Sequence, residues 1–386
     1  MLLLAGTVVH GWSWTRADPA SLMPADLAML RSEQSRADFS CQVRASKPFL
    51  GFDLRFHWDY RATFPLKVLA TSGDSLEVLL QVTPAANTHR GVFISQRFAA
   101  PVFPPGMPGL GESVGGFDLG PGRYRVDWLL RDGRGRACSF HWKVDAKVHA
   151  SQRHPALAMA SNAIADWSDG MPGGDPQAAR PAGKPLNVKI LLNFSPAKPW
   201  ESILNPDDAM VLISMLRSVT RAPGVGRFSL LAFNLRTQKI LYQAQSASTL
   251  DVPALVQTLL TRTTGTIEYR LLKDPRSETN FAAELLASQL GEQQNATDAI
   301  IILGPKVTLN KKIPLELLKA GGTAKCPIFY FNYNPDPVDQ PWRDTIGSAL
   351  KAYRRARAYN IVGPADFGLA MRDLIATNIS ANSIPE

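Results

Sequence analysis

The residues best placed to do chemistry are oxygen and ammonium groups at the ends of apolar runs. Asn193-Phe194-Ser195-Pro196-Ala197 closes one such run, and Lys198 follows it. Ser277-Glu278-Thr279 opens an amphipathic stretch, and Gly304-Pro305-Lys306 closes the run Ala299-Ile-Ile-Ile-Leu303. An amide and two hydroxyls offer oxygen donors to a hard cation but no negative charge. Such a cation needs carboxylate or phosphate to replace its hydration shell. Ala197 has no ligand atom, and only Asp274 and Glu278 lie near enough in sequence to supply acid. The reading is therefore of no metal and no cofactor. Ser195, Thr279, Lys198 and Lys306 also fit an anion site, if a helix starting near Thr279 points its N–H groups at the same mouth. The plainer alternative has Thr279 capping that helix and Ser195 stabilising a turn.

Catalytic constellations are scarce. All six histidines (His10, His57, His89, His141, His149 and His154) precede residue 185, so no Ser-His-Asp set lies wholly in the second half. His57 and His141 sit beside Trp58 and Trp142 in strand-like runs and read as packed residues. Three cysteines without a Cys-x-x-Cys pair argue against zinc. Ala222-Pro-Gly-Val-Gly-Arg227 lacks the ending of a phosphate-cradling loop and reads as a turn. Lys351-Ala-Tyr-Arg354-Arg355-Ala-Arg357 reads as the solvated face of a helix from Trp342 to Arg357.

The elements that must position these groups fall into two regions. The 386 residues suffice for two domains, and 45% hydrophobic content is ordinary for globular protein. The formal charge of +9 is spread over both halves, with no basic arm or stripe for nucleic acid. No apolar run is long enough to span a membrane. Residues 1–35 read as a possible signal or N-terminal segment, because Met1–Val9 is apolar although no basic residue precedes it.

Residues 36–147 read as a β-sandwich. Leu50–Trp58, Leu76–Val82 and Arg123–Leu130 alternate apolar and polar residues, and Asp132-Gly133 with Gly135 marks a hairpin. The proline- and glycine-rich stretch Pro101–Gly116 reads as a connector that cannot form a central strand. Cys41 and Cys138 fall in strand-like segments at the two ends of this region. They are either a bridge, as an oxidising compartment allows, or two buried thiols. Residues 148–184 are dense in Pro and Gly and read as a linker. Residues 185–386 alternate buried apolar runs with amphipathic helices, which predicts an α/β domain with a doubly wound, mostly parallel sheet.

The order of elements from Leu186 to Thr377, with Asn193-Phe-Ser-Pro-Ala197, Ser277–Ala283, Ala299–Pro305 and Ala356–Ala370, resembles the von Willebrand factor type A family. In that family an Asp-x-Ser-x-Ser strand end, a Thr before a helix and a later Asp hold a divalent cation. The resemblance implies a Rossmann-like domain whose adhesion site has lost its metal. Asn193, Ser195, Lys198, Thr279 and Lys306 then lie on the binding loops. The implied function is non-catalytic binding of another protein, secreted or periplasmic. A structural component of a bacterial envelope assembly and an enzyme with an interdomain site are the alternatives.

Overall fold

The computed structural model describes residues 15–32, 36–69, 75–99, 108–148, 155–166, 185–262, 274, 276–291, 297–320 and 324–381. The apolar opening Met1–Val9, the proline run 101–107 and the breaker-rich part of the linker, 167–184, lie outside these residues. The chain divides into two compact units. The first comprises Met1–Gly51, Arg55–Ala150 and Leu157–Met171; the second comprises Phe52–Leu54, Ser151–Ala156 and Pro172–Glu386.

The first unit is built on strands β1 (Thr15–Ala17), β2 (Gln42–Ala45), β3 (Phe49–Leu50), β4 (Phe56–Pro65), β5 (Ser75–Pro84), β6 (Val92–Ala99), β7 (Leu110–Leu119), β8 (Gly122–Asp132), β9 (Ala137–Ala146) and β10 (Ile164–Asp166). They form two sheets, ordered β1-β6-β5-β8-β9 and β10-β7-β4-β2, with β3 also on β4. Period-two patterning decides which side chains turn inward: along β4 every second residue is buried. Trp58, Tyr60 and Phe117 of one sheet share a core with Val78, Leu80 and Trp128 of the other. Each fully buried apolar side chain of this kind contributes about 1.5–3 kcal/mol. Helix α1 (Pro24–Arg31) covers the outer face, where Leu30 packs with Leu79, Phe93 and Leu129. Its Asp26 pairs with Arg131 at 2.9 Å, and Arg131 also holds Glu77 at 2.7 Å. The short helix α2 spans Leu66–Leu69.

Two sequence expectations change here. Leu50–Trp58 is not one strand: it turns at Gly51–Arg55, where Leu54 adopts a left-handed φ of 63°. The glycine-rich stretch from Leu110 onward is not a connector. It is β7, a strand with partners on both sides. Its glycines lie under aromatic rings and backbone of β4. A Cβ at Gly111 would meet the Phe64 ring at 2.5 Å, and one at Gly116 the Trp58 carbonyl at 2.3 Å.

The second unit carries β11 (Leu186–Asn193), α3 (Pro206–Thr220), β12 (Val225–Asn234), β13 (Lys239–Ala247), α4 (Val252–Arg262), α5 (Ser277–Gly291), β14 (Ala299–Pro305), α6 (Leu315–Ala320), β15 (Ile328–Tyr333), α7 (Thr345–Leu350), β16 (Ala356–Ile361) and α8 (Pro364–Ala381). Its sheet is ordered β13-β12-β11-β14-β15-β16. One face packs on α3, α4 and α8, the other on α5, α6 and α7. Asn205 caps α3, accepting from the Asp207 amide at 2.8 Å. Phe52–Leu54 counts with this unit, the Phe52 ring lying 5.8 Å from Tyr333 and 6.3 Å from Phe367.

The expectation of a doubly wound, mostly parallel fold is corrected. Among the described residues nine of the thirteen strand pairings are antiparallel. Two of the three sheets are antiparallel throughout, and the third is mixed because β13 runs antiparallel on β12. The physical cause is connection length. A hairpin turn such as Asp132–Arg136 or Asn234–Lys239 can return a chain only to an antiparallel neighbour, whereas a parallel neighbour needs a long crossover. The predicted helix from Trp342 to Arg357 also shrinks to α7.

Cys41 and Cys138 form a disulfide across 97 residues of sequence. Closing a loop of this length stabilises the first unit by about 3–5 kcal/mol on the chain-entropy account. Cys138→Ala, or reductant on the parent chain, lowers the unfolding free energy of that unit by this amount in a urea titration. Unchanged unfolding under reductant would contradict the assignment.

Candidate functional site

Asn193 and Ser195 lie at the end of β11, beside the ends of β12 and β14. Asn193 and Ser195 are fully buried. The Ser195 hydroxyl and amide both donate to Asn193 Oδ1, at 2.6 and 3.2 Å, which folds the strand end into an Asx turn. Asn193 Nδ2 donates to the Pro305 carbonyl at 3.2 Å. The Leu235 amide donates to Ser195 Oγ at 2.7 Å. These two side chains therefore join the ends of three strands.

Asn234, which sequence reasoning passed over, does the same for the neighbouring loops. Its Nδ2 donates to the carbonyls of Phe194 (3.3 Å) and Ser202 (3.2 Å), and its Oδ1 accepts from the amides of Arg236 (2.8 Å) and Thr237 (3.1 Å). An Asn directly after an apolar strand was the available signal. Arg236 was missed as well. It is buried, pairs with Glu278 at 3.0 Å, and donates to the Thr308 carbonyl at 3.0 Å. Glu278 is thus engaged by a guanidinium. Burial still pushes its carboxyl above the usual range, against the Arg236 charge.

The remaining candidates do not join this cluster as expected. Thr279 is buried near the start of α5, and its hydroxyl has no partner among the described residues. Lys198 is exposed and pairs with Glu201 at 3.2 Å. Lys306 Nζ donates to the Gln340 carbonyl at 2.5 Å. Asp274 Oδ1 accepts from the Arg276 amide at 2.9 Å.

Further along the same rim, Asp344 caps α7 by accepting from the Gly347 amide at 3.0 Å, and the Tyr330 hydroxyl donates to it at 3.2 Å. Burial raises the Asp344 carboxyl above its ordinary value, and these two hydrogen bonds oppose the shift. Trp200 is 75% exposed on the loop after β11. Its ring lies 6.3 Å from that of Trp342 on the loop after β15, and Val338 on that second loop is 83% exposed.

In the first unit, His57 Nδ1 lies 2.9 Å from Asp118 and His141 Nδ1 lies 2.7 Å from Asp127, each carboxylate sitting directly across the ladder. Gly111-Glu-Ser113-Val-Gly115 has the spacing of a nucleophile elbow, a match that sequence reasoning also passed over. An elbow needs a sharp strand-to-helix turn. Here the segment is extended along β7 and paired residue by residue with Phe64 to Tyr60, with Ser113 buried.

No family model matches the chain, and no curated protein matches it. Among solved structures, a PilB minor pilin from Streptococcus sanguinis aligns at 10% identity over 80% of this chain and 89% of its own, with a TM-score of 0.29. A glycosyl hydrolase family 2 member from Bacteroides cellulosilyticus DSM 14838 aligns at 8% identity over 83% of this chain and 39% of its own, with a TM-score of 0.19. Likenesses this loose transfer neither fold nor activity.

The resemblance to the type A family, and with it the degenerate adhesion site, is corrected. No family model supports it, and the sheet of the region it covers is mixed, with β13 antiparallel on β12. The Asn193–Ala197 signature that carried it is explained locally, as an Asx turn that closes a buried strand end.

Ser195→Ala leaves the buried Leu235 amide without its acceptor. It costs about 1–3 kcal/mol in the unfolding of the second unit by urea titration; no change would show that the tie is dispensable. The raised Asp344 carboxyl favours the protonated fold. Its contribution is complete below the unfolded carboxylate pKa and is lost as pH rises through the higher folded value. Asp344→Asn keeps the cap and removes the titration. Stability of the parent chain therefore falls more steeply than that of the variant as pH rises above the ordinary carboxylate range. Parallel curves would exclude this role.

Proposed function

We propose that this chain is a non-catalytic, structural component of an assembly outside the cytosol, held to a protein partner through the second unit. The observation that carries the reading is the exposed apolar surface of Trp200 and Val338, with Trp342 beside Trp200, on the loops after β11 and β15. Large aromatic side chains that a chain leaves in water are characteristic anchors of protein interfaces. Most neighbouring polar groups are engaged by the fold: Asn193, Ser195 and Asn234 bond one another and nearby backbone, and Arg236 pairs with Glu278. The rim therefore favours burial of apolar surface over acid–base or nucleophilic chemistry. The Cys41–Cys138 disulfide supports an oxidising compartment, secreted or periplasmic. Among the described residues no helix is long and apolar enough to cross a membrane.

A photo-cross-linking residue at position 200, expressed in the native host, tests this. One discrete adduct in the envelope or exported fraction is expected, weakened at least about tenfold by Val338→Asp and Trp342→Ala together. Recovery of the free monomer alone from every fraction would remove the proposal.

A further inference from the structure

The basic run Lys351–Arg357, expected on a helix, lies instead on a turn and an open sheet edge. Helix α7 ends at Leu350, the chain turns through Tyr353, and β16 begins at Ala356. β16 pairs in parallel with β15 and ends the six-stranded sheet; among the described residues no strand pairs with its other side.

The register fixes which backbone groups are free. The Ile328 amide donates to the Arg355 carbonyl and the Asn334 amide to the Ile361 carbonyl. Alternate residues Arg357, Tyr359 and Ile361 therefore turn their backbone toward β15, while Ala356, Ala358 and Asn360 turn theirs outward. The Ala356 amide is used by the Tyr353 carbonyl at 3.0 Å. Ala358 and Asn360 are exposed, and the methyl of Ala358 leaves its peptide groups uncovered.

The charges carried by the edge strand and the turn before it are all positive. Between Leu350 and Ile361 there are four cations, Lys351, Arg354, Arg355 and Arg357, and no acid. All four are exposed. Arg355 donates to the Lys325 carbonyl, which brings a fifth cation onto the neighbouring turn. The nearby Asp373 is occupied by the Tyr359 hydroxyl at 3.2 Å and by Arg372 at 3.3 Å.

We infer that β16 is a strand-addition site, which takes an extended acidic segment of a partner protein as a seventh strand of the sheet. Backbone hydrogen bonds to Ala358 and Asn360 supply the docking, and the arginines select the sign of the partner. The same charges repel the β16 edge of a second copy, so edge-to-edge pairing of this chain with itself is disfavoured. A purely protective role for the charges is the competing explanation, and it predicts that no strand binds.

This interface is separate from the Trp200 rim, and the two are tested independently. The probe is an acetylated seven-residue peptide alternating glutamate with threonine, titrated into the full chain. Saturable binding by fluorescence anisotropy is expected, with hydrogen exchange at the Ala358 and Asn360 amides slowed at least about tenfold. Arg354→Glu with Arg357→Glu weakens binding at least about tenfold. Ala358→Pro removes only an outward-facing donor, so the melting profile is kept while binding is lost. Three results would each overturn the inference. One is no binding by the parent chain. Another is equal binding of a lysine–threonine peptide. The last is binding by a folded Ala358→Pro variant with unchanged affinity, which would mark a general anion surface for nucleic acid or lipid.

Discussion

The second unit depends on one constraint, the dry closure of the end of β11. Three strands converge there with their polar backbone exposed to a space that admits no water to Asn193 or Ser195. Buried polar groups left without partners cost free energy comparable to a lost hydrogen bond. Asn193 and Ser195 meet that demand with neutral groups, each side chain both donating and accepting. A carboxylate at the same place would need a buried counter-charge. Gly304 follows from the same closure. A Cβ there would stand 2.3 Å from the Asn193 carbonyl, so β14 can approach β11 this closely only without a side chain.

Charge is allowed into this region where it brings its own partner. The buried Arg236 pairs with the partly buried Glu278, and the Thr308 carbonyl takes a second guanidinium donor. The pair links the β12–β13 turn to the start of α5. That turn also explains the mixed sheet. Asn234 folds it over its own side chain, and Gln238 adopts a left-handed φ of 52°. The chain then returns antiparallel as β13, at the edge, where parallel order imposes nothing. With Asn193, Ser195 and Asn234 held in this way, recognition at the rim falls to surface residues.

Legibility in the sequence followed the strength of the local signal. The start of β4, the apolar-rich β5 and β8 and the continuous apolar β11 and β14 were readable, because burial on one face or on both leaves its mark on the residues. β7 was not. Its glycines read as loop, yet they are required by rings and carbonyls of β4, which lie some fifty residues away in sequence. The site was legible in part. Asn193 and Ser195 were correctly singled out as residues at a strand end, but their roles depend on Leu235 and Pro305, which no local pattern announces. Lys198 and Lys306 were grouped with them by sequence position, and the structure gives each to a different loop.

The run after α7 shows how a period can mislead. At helical spacing Tyr353 and Arg357 share a face, which places an aromatic ring and a guanidinium together. The observed solution separates them. Tyr353 packs against the Ile328 and Tyr330 side of the sheet, and Arg357 begins the opposite face, ahead of Tyr359 and Ile361. Two short turns, from Ala352 to Ala349 and from Tyr353 to Leu350, end the helix in time for this to happen. A strand gives Tyr359 and Ile361 a core on one side and leaves the cations in water, so burial decides against a helix that propensity alone would have continued. The same choice opens an edge. Extending α7 would have satisfied the peptide groups of Ala358 and Asn360 internally, whereas β16 directs them outward among four positive charges.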